Sequence, residues 1–185
     1  HTRESNGTSH FGVKKSVVPL GSDTWTINPE NSNKQKLSYF PDNKQTRLSA
    51  LKATSKDQSI ALSGMYLNSE AFNLNLDVED LILQNILPSV PTFTLAGKGN
   101  LEFTIVRSTE ENNLGISATI DSLNINGEDL GNLDLSANGN TELNAYFADL
   151  DLRQSGQQKM GLKGLWRGLE DPSLNFNLNF NDLNS

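Results

Sequence analysis

The sequence predicts an all-β fold of antiparallel strands, and three observations carry that prediction. Large apolar residues alternate with polar ones over whole segments: Leu174, Phe176, Leu178 and Phe180 with Asn175, Asn177 and Asn179, and Phe72, Leu74, Leu76 and Val78 with Asn73, Asn75 and Asp77. Successive side chains of a strand point to opposite faces, so alternation of period two marks a strand with one apolar and one polar face. Gly, Asn and Pro clusters punctuate the chain at intervals of roughly 8–15 residues, the spacing of antiparallel strands joined by turns. Parallel α/β folds need amphipathic helices between strands, and only one short candidate appears, in the segment from Asp80 to Pro91.

In chain order, residues 1–23 are polar and expected to be poorly ordered, and residues 24–185 are expected to form one β-rich segment. A strand is predicted around Trp25 and Ile27, then a turn in "PENSNKQ", a strand "KLSYF" and a turn at Pro41. "TRLSALKATS" is open to two readings, a helical turn through Leu48 and Leu51 or a strand whose register shifts. Strands follow at Gln58 to Leu67, with Ile60 and Leu62 before Gly64, and at "AFNLNLDVED". In "DLILQNILPSVP" a mixed period closed by two prolines predicts a short helix near residues 80–87, with Asp80 as its N-cap.

The second half resumes the alternation. Phe93, Leu95, Leu101, Phe103 and Ile105 share a strand pattern interrupted by Gly97 and Gly99, read as a kink. Between Ile120 and Leu123 the apolar parity changes, which predicts a bulge. Asn126-Gly127 predicts a type I′ turn, since both central residues need positive φ. Leu133 and Leu135 lead to a second turn expected at Asn138-Gly139. Further strands are predicted in "TELNAYFADLDLRQ", in "QQKMGLKGLWRG" and in "SLNFNLNF".

Composition narrows the function classes. Hydrophobic content is 35% and charged content 20%, leaner than the roughly 45–50% apolar (glycine included) of a compact globule, so the body is elongated or sheet-like. The net charge of −7 comes without a basic patch, which excludes nucleic acid as a natural partner. There is no cysteine, hence neither disulfide nor thiolate metal site. The chain does not begin with Met and contains no run of the roughly 20 apolar residues that span a bilayer as a helix; it reads as a segment of a larger protein.

No catalytic, metal or cofactor site emerges. The two histidines, His1 and His10, fall in the polar start and read as surface. Glu79/Asp80, Glu110/Glu111 and Glu128/Asp129 are adjacent pairs whose side chains diverge on a strand, so they read as solvated charges rather than acid/base dyads. "NINGED" would need a calcium ligand at Ser122 and a bidentate glutamate at Leu133, so it reads as a turn. "GKGN" is too short to cradle phosphate. The asparagine face must meet water, because buried amides without partners are costly. The apolar face could pack on a second sheet, close into a barrel, or line a sheet curled into a trough.

The order of "DTWTINPEN", "QSIALSGMYLNSEAFNLNLDVEDLILQNILP", "TFTLAGKGNLEFTI", "LNINGEDLGNLDLSANGN" and "GLKGLWRG" resembles the TamB translocation-and-assembly module family, within the AsmA-like envelope proteins. The features that carry the likeness are Trp25, the strand ending at Gly64, Leu74 to Leu81, the Gly97/Gly99 strand and, most of all, Ile125 to Ala137. It covers nearly all residues after about Thr24. The resemblance implies an elongated curled antiparallel sheet, a β-taco. It implies a periplasmic segment of a protein anchored in the inner membrane and reaching an outer-membrane barrel partner. It implies transport of phospholipid acyl chains, or assembly of nascent outer-membrane protein strands, without catalysis or cofactor. Phe72, Leu74, Leu76, Val78, Leu133, Leu135, Leu174, Phe176, Leu178 and Phe180 would then line the lipid path. The alternative is a closed β-sandwich acting in adhesion or carbohydrate binding.

Overall fold

The computed structural model describes residues 2–3, 7–27, 36–68, 71–86, 92–140, 145–168 and 173–181. Its strands are β1 (Thr2–Arg3), β2 (Ser9–Gly12), β3 (Ser16–Leu20), β4 (Asp23–Ile27), β5 (Lys36–Phe40), β6 (Gln45–Ser55), β7 (Gln58–Asn68) and β8 (Ala71–Ile82). After the one-turn helix α1 (Leu83–Ile86) come β9 (Leu95–Arg107), β10 (Asn112–Ile125), β11 (Glu128–Asn140), β12 (Ala145–Gln154), β13 (Gln157–Arg167) and β14 (Ser173–Phe180). They form a single open, curled antiparallel sheet, in which β5 to β14 are neighbours in chain order. The outer edge of β6 is shared: β5 pairs with Gln45 to Ser49, while β4 pairs with Ala53 and Thr54 and carries β3 beside it. Three of the strands, β1, β2 and β3, fall within the polar opening of the chain. A closed sandwich is excluded, because the described strands all belong to this one sheet.

Pairing aligns the apolar residues into rows that cross the sheet. One row runs Leu51, Leu62, Leu76, Phe103, Ile116, Ala137, Ala148, Gly164, Phe176. The next runs Ala53, Ile60, Val78, Leu101, Ala118, Leu135, Leu150, Leu162, Leu178. Each directly opposed apolar pair contributes roughly 0.2–1 kcal/mol, so the sheet is held by lateral pairs in place of a sealed interior. Among the described residues only Trp25, Val78 and Leu123 are buried hydrophobics.

"TRLSALKATS" is a strand, with a register shift between Leu48 and Leu51 that keeps both leucines on the apolar face. The bulge between Ile120 and Leu123 is present. Asn126 and Gly127 both adopt positive φ, 54° and 87°, as their turn requires.

Two expectations need correction. Asp80 is not an N-cap: it sits inside β8 at φ 58°, beside a register shift between Val78 and Leu81, and the described helix covers only Leu83–Ile86. Here the pairing of Leu81 and Ile82 with Gly99 and Lys98 overrides the helical pattern. Asn138-Gly139 is not a turn either, because both residues pair within β11, opposite Phe147 and Tyr146. Gly139 is required for packing instead. The Tyr146 ring lies over it and stacks on Trp166 at 5.0 Å, and a Cβ at Gly139 would come within 2.3 Å of Tyr146 Cδ1. Gly139→Val is therefore expected to destabilise the sheet by about 1–3 kcal/mol, read as a lower urea midpoint. An unchanged midpoint would contradict this packing.

Candidate functional site

The ten residues expected to line a lipid path all lie on the apolar face. Leu76 and Phe176 stand in one of its rows and Val78, Leu135 and Leu178 in the next. Leu133 and Phe180 fall in a row beyond these, with Leu152 and Met160. Leu74 and Leu174 belong to the row that includes Leu114, Tyr146 and Trp166. Phe72 stands at the margin, opposite Arg107. Val78 is buried, Leu74, Leu76, Leu133 and Leu135 are half-buried, and the β14 residues are exposed, Leu174 to 66%. The face is therefore reachable, and reachability increases toward β14.

The reverse face is mostly polar. Its cross-strand partners include Asp77 with Glu102, Ser117 with Ser136, and Asp149 with Lys163, whose charges meet at 2.9 Å. Such exposed pairs contribute roughly 0–1 kcal/mol each. Two depressions open on this side. One of about 620 Å³ is lined by Asp134, Asp149, Asp151, Lys163 and neighbours, and one of about 470 Å³ includes Val106, Phe147 and Leu165.

Part of the asparagine content has a local purpose. Where β8 and β10 bulge, Asp80 and Ser122 take positive φ, 58° and 53°, and each N–H leaves the ladder. The freed N–H of Asp80 donates to Asn100 Oδ1 at 2.9 Å, and that of Ser122 donates to Asn132 Oδ1 at 3.0 Å. Asparagine on the neighbouring strand thus satisfies a backbone donor that a bulge exposes. The two bulges carry a shared pattern, Val78-Glu79-Asp80-Leu81 and Ile120-Asp121-Ser122-Leu123, in which apolar residues three apart stay on one face.

One end of the sheet is closed by a polar latch that the sequence reading missed. Gln58, 1% exposed, donates through Nε2 to Asp23 Oδ2 at 2.8 Å and accepts at Oε1 from the Ile82 N–H at 2.8 Å. Asn85 Nδ2 donates to the same carboxylate at 2.9 Å, and Lys56 Nζ approaches at 3.4 Å. The turn between β3 and β4 lies against α1: Ser22 N–H donates to the Asn85 carbonyl at 2.7 Å, and a Cβ at Gly21 would be 1.8 Å from that oxygen. Trp25, on β4 of this hairpin, is buried, while Trp166 packs on Tyr146 near the opposite end of the strands. The latch was illegible because Asp23, Gln58 and Asn85 are far apart in sequence and share no spacing.

The Gln58 amide, then the Asn85 amide and the Lys56 ammonium, hold the Asp23 carboxyl below its ordinary pKa. A depressed folded pKa means that the stabilisation is complete above the ordinary aspartate value and is lost as the pH falls through the lowered one. In a Trp166→Phe background, acid titration of Trp25 fluorescence should show hairpin release only below the usual aspartate range, with that step absent from Asp23→Ala. A step near neutrality, or the same step in both proteins, would contradict the latch.

His10 accompanies Ser38 across the β2–β5 pair at 2.8 Å. Among the described residues no helix is long and apolar enough to cross a membrane. Comparison of the chain with protein-family models, curated proteins and solved structures finds no match in any of the three.

Proposed function

We propose that the chain is a non-enzymatic segment of a TamB-like envelope protein whose apolar face carries phospholipid acyl chains through the periplasm. The observation that supports this reading most is the unbroken, register-aligned apolar face of an open sheet, with its polar reverse turned to water. Nine neighbouring strands at about 4.8 Å spacing give a run of about 38 Å along the sheet. One leaflet of a bilayer core is only about 15 Å deep, so the run exceeds a single acyl chain. Each buried CH₂ gains roughly 0.8 kcal/mol, and similar rows make successive positions similar in depth. A tail then moves along the face without a fixed seat, while its head group stays in water.

The test is native mass spectrometry of the purified chain, followed by delipidation and titration with a fluorescent fatty acid. Co-purifying phospholipid and saturable uptake after delipidation are expected. A lipid-free preparation that takes up no fatty acid would contradict the reading.

A further inference from the structure

We propose that the reverse face carries a binding site for an N-acetylated saccharide, centred on Gly115 where β9 to β13 lie side by side. Pairing sets Thr104, Gly115, Asn138, Phe147 and Leu165 in one row across these strands, with Val106 and Asn113 opposed in the row alongside. These residues line the depression of about 470 Å³ on this side. Small-ligand sites occupy roughly 300–1,000 Å³.

Gly115 leaves the floor of the depression bare, and neither backbone nor packing asks for glycine there. Its φ lies outside the left-handed region. Among the described residues a Cβ at Gly115 would meet only Asn138 Oδ1, at 4.0 Å, whereas one at Gly139 would run into Tyr146. A glycine inside a strand weakens it, and often marks a place that a ligand approaches closely.

The lining selects the ligand. Phe147 is 41% exposed and is opposed by Leu165, an apolar platform on a mostly polar face. Asn113 and Asn138 are exposed beside it, and each amide offers both donors and an acceptor. From β9 to β13 the Gly115 row holds no charge, while the next row holds Glu102, Asp149 and Lys163. Glu111, also at the depression, accepts from Asn113 Nδ2 at 2.8 Å. An acyl chain seated here would strip water from the amides and return no hydrogen bond. A sugar ring lays its C–H face on Phe147 and turns its hydroxyls to the amides. An acetamido group adds an amide that pairs with asparagine and a methyl that rests on Leu165 and Val106. The net charge of −7 disfavours an anionic sugar.

Methyl-resolved NMR of the intact chain, titrated with tetra-N-acetylchitotetraose, tests the site. Saturable shifts are expected at Val106 and Leu165, with none at Leu135 on the apolar face. Cellotetraose, which lacks the acetamido groups, should bind at least about tenfold more weakly. Gly115→Val fills the depression, so saccharide binding should fall at least about tenfold while the urea midpoint holds or rises. Phe147→Ala, at an exposed position, should weaken binding as well. Fatty-acid uptake on the opposite face should be unchanged in both variants, so a failure here leaves the lipid reading untouched. No shift at any methyl up to about 10 mM saccharide overturns the proposal. So does a Gly115→Val chain that binds as before, equal affinity for cellotetraose, or displacement of the sugar by a fatty acid.

Discussion

Leu135→Asp is expected to weaken fatty-acid uptake by at least about tenfold, the largest functional effect of any single substitution on the face. Leu135 is half-buried in mid-sheet, between Ala118 and Leu150 in its row. A carboxylate there keeps its hydration while the face is empty, so the fold tolerates it. An acyl chain crossing that row must strip the water away, and stripping an unpaired charge costs far more than the few CH₂ contacts regain. Asn75→Asp is the control: it adds the same charge on the wet reverse face, at an exposed position. Titration with a fluorescent fatty acid, with circular dichroism to confirm the sheet, should separate the two. Equal loss in both, or loss in neither, would mean that the apolar face is not where the chain binds.

Gln58→Leu should have the largest effect on stability. Its amide satisfies a carboxylate on one side and a strand-end N–H on the other, both at 2.8 Å, and it is 1% exposed. Leucine fills similar space but leaves both groups without that partner, a loss of about 2–3 kcal/mol. Urea unfolding should show the lower midpoint, and Trp25 emission should shift to the red as the hairpin lifts from α1. Combining Gln58→Leu with Asp23→Asn should cost less than the sum of the two, because they remove one shared interaction. Strict additivity would mean that the pair does not act as a unit.

The strands were legible wherever one face is apolar and the other wet, because period two is then written directly into the residues. The bulge at Ile120 and Leu123 was readable for the same reason, as a change of parity. Its counterpart at Val78 and Leu81 was not, since the following Ile82 and Ile86 gave a mixed period that also suits a helix. Asn138-Gly139 misled because the dipeptide is a strong local turn signal, whereas the glycine answers to a ring on the next strand. Local chemistry cannot reveal a requirement set by Tyr146 and Trp166. The lining candidates were found on one face because alternation assigns faces correctly within each strand, and the bulges at Val78/Leu81 and Ile120/Leu123 keep the apolar residues on that face where the register shifts.

The central claim is that the apolar face, left open by the curl of a single sheet, is the surface that holds a hydrocarbon chain. Methyl-resolved NMR with a fatty acid spin-labelled along its tail tests this directly. The account predicts line broadening at Leu74, Leu76, Leu135, Leu162 and Leu178, spread along the rows rather than centred on one residue, with Val106 and Leu165 on the reverse face unaffected. Broadening confined to Val106 and Leu165, or none at any leucine, would contradict it.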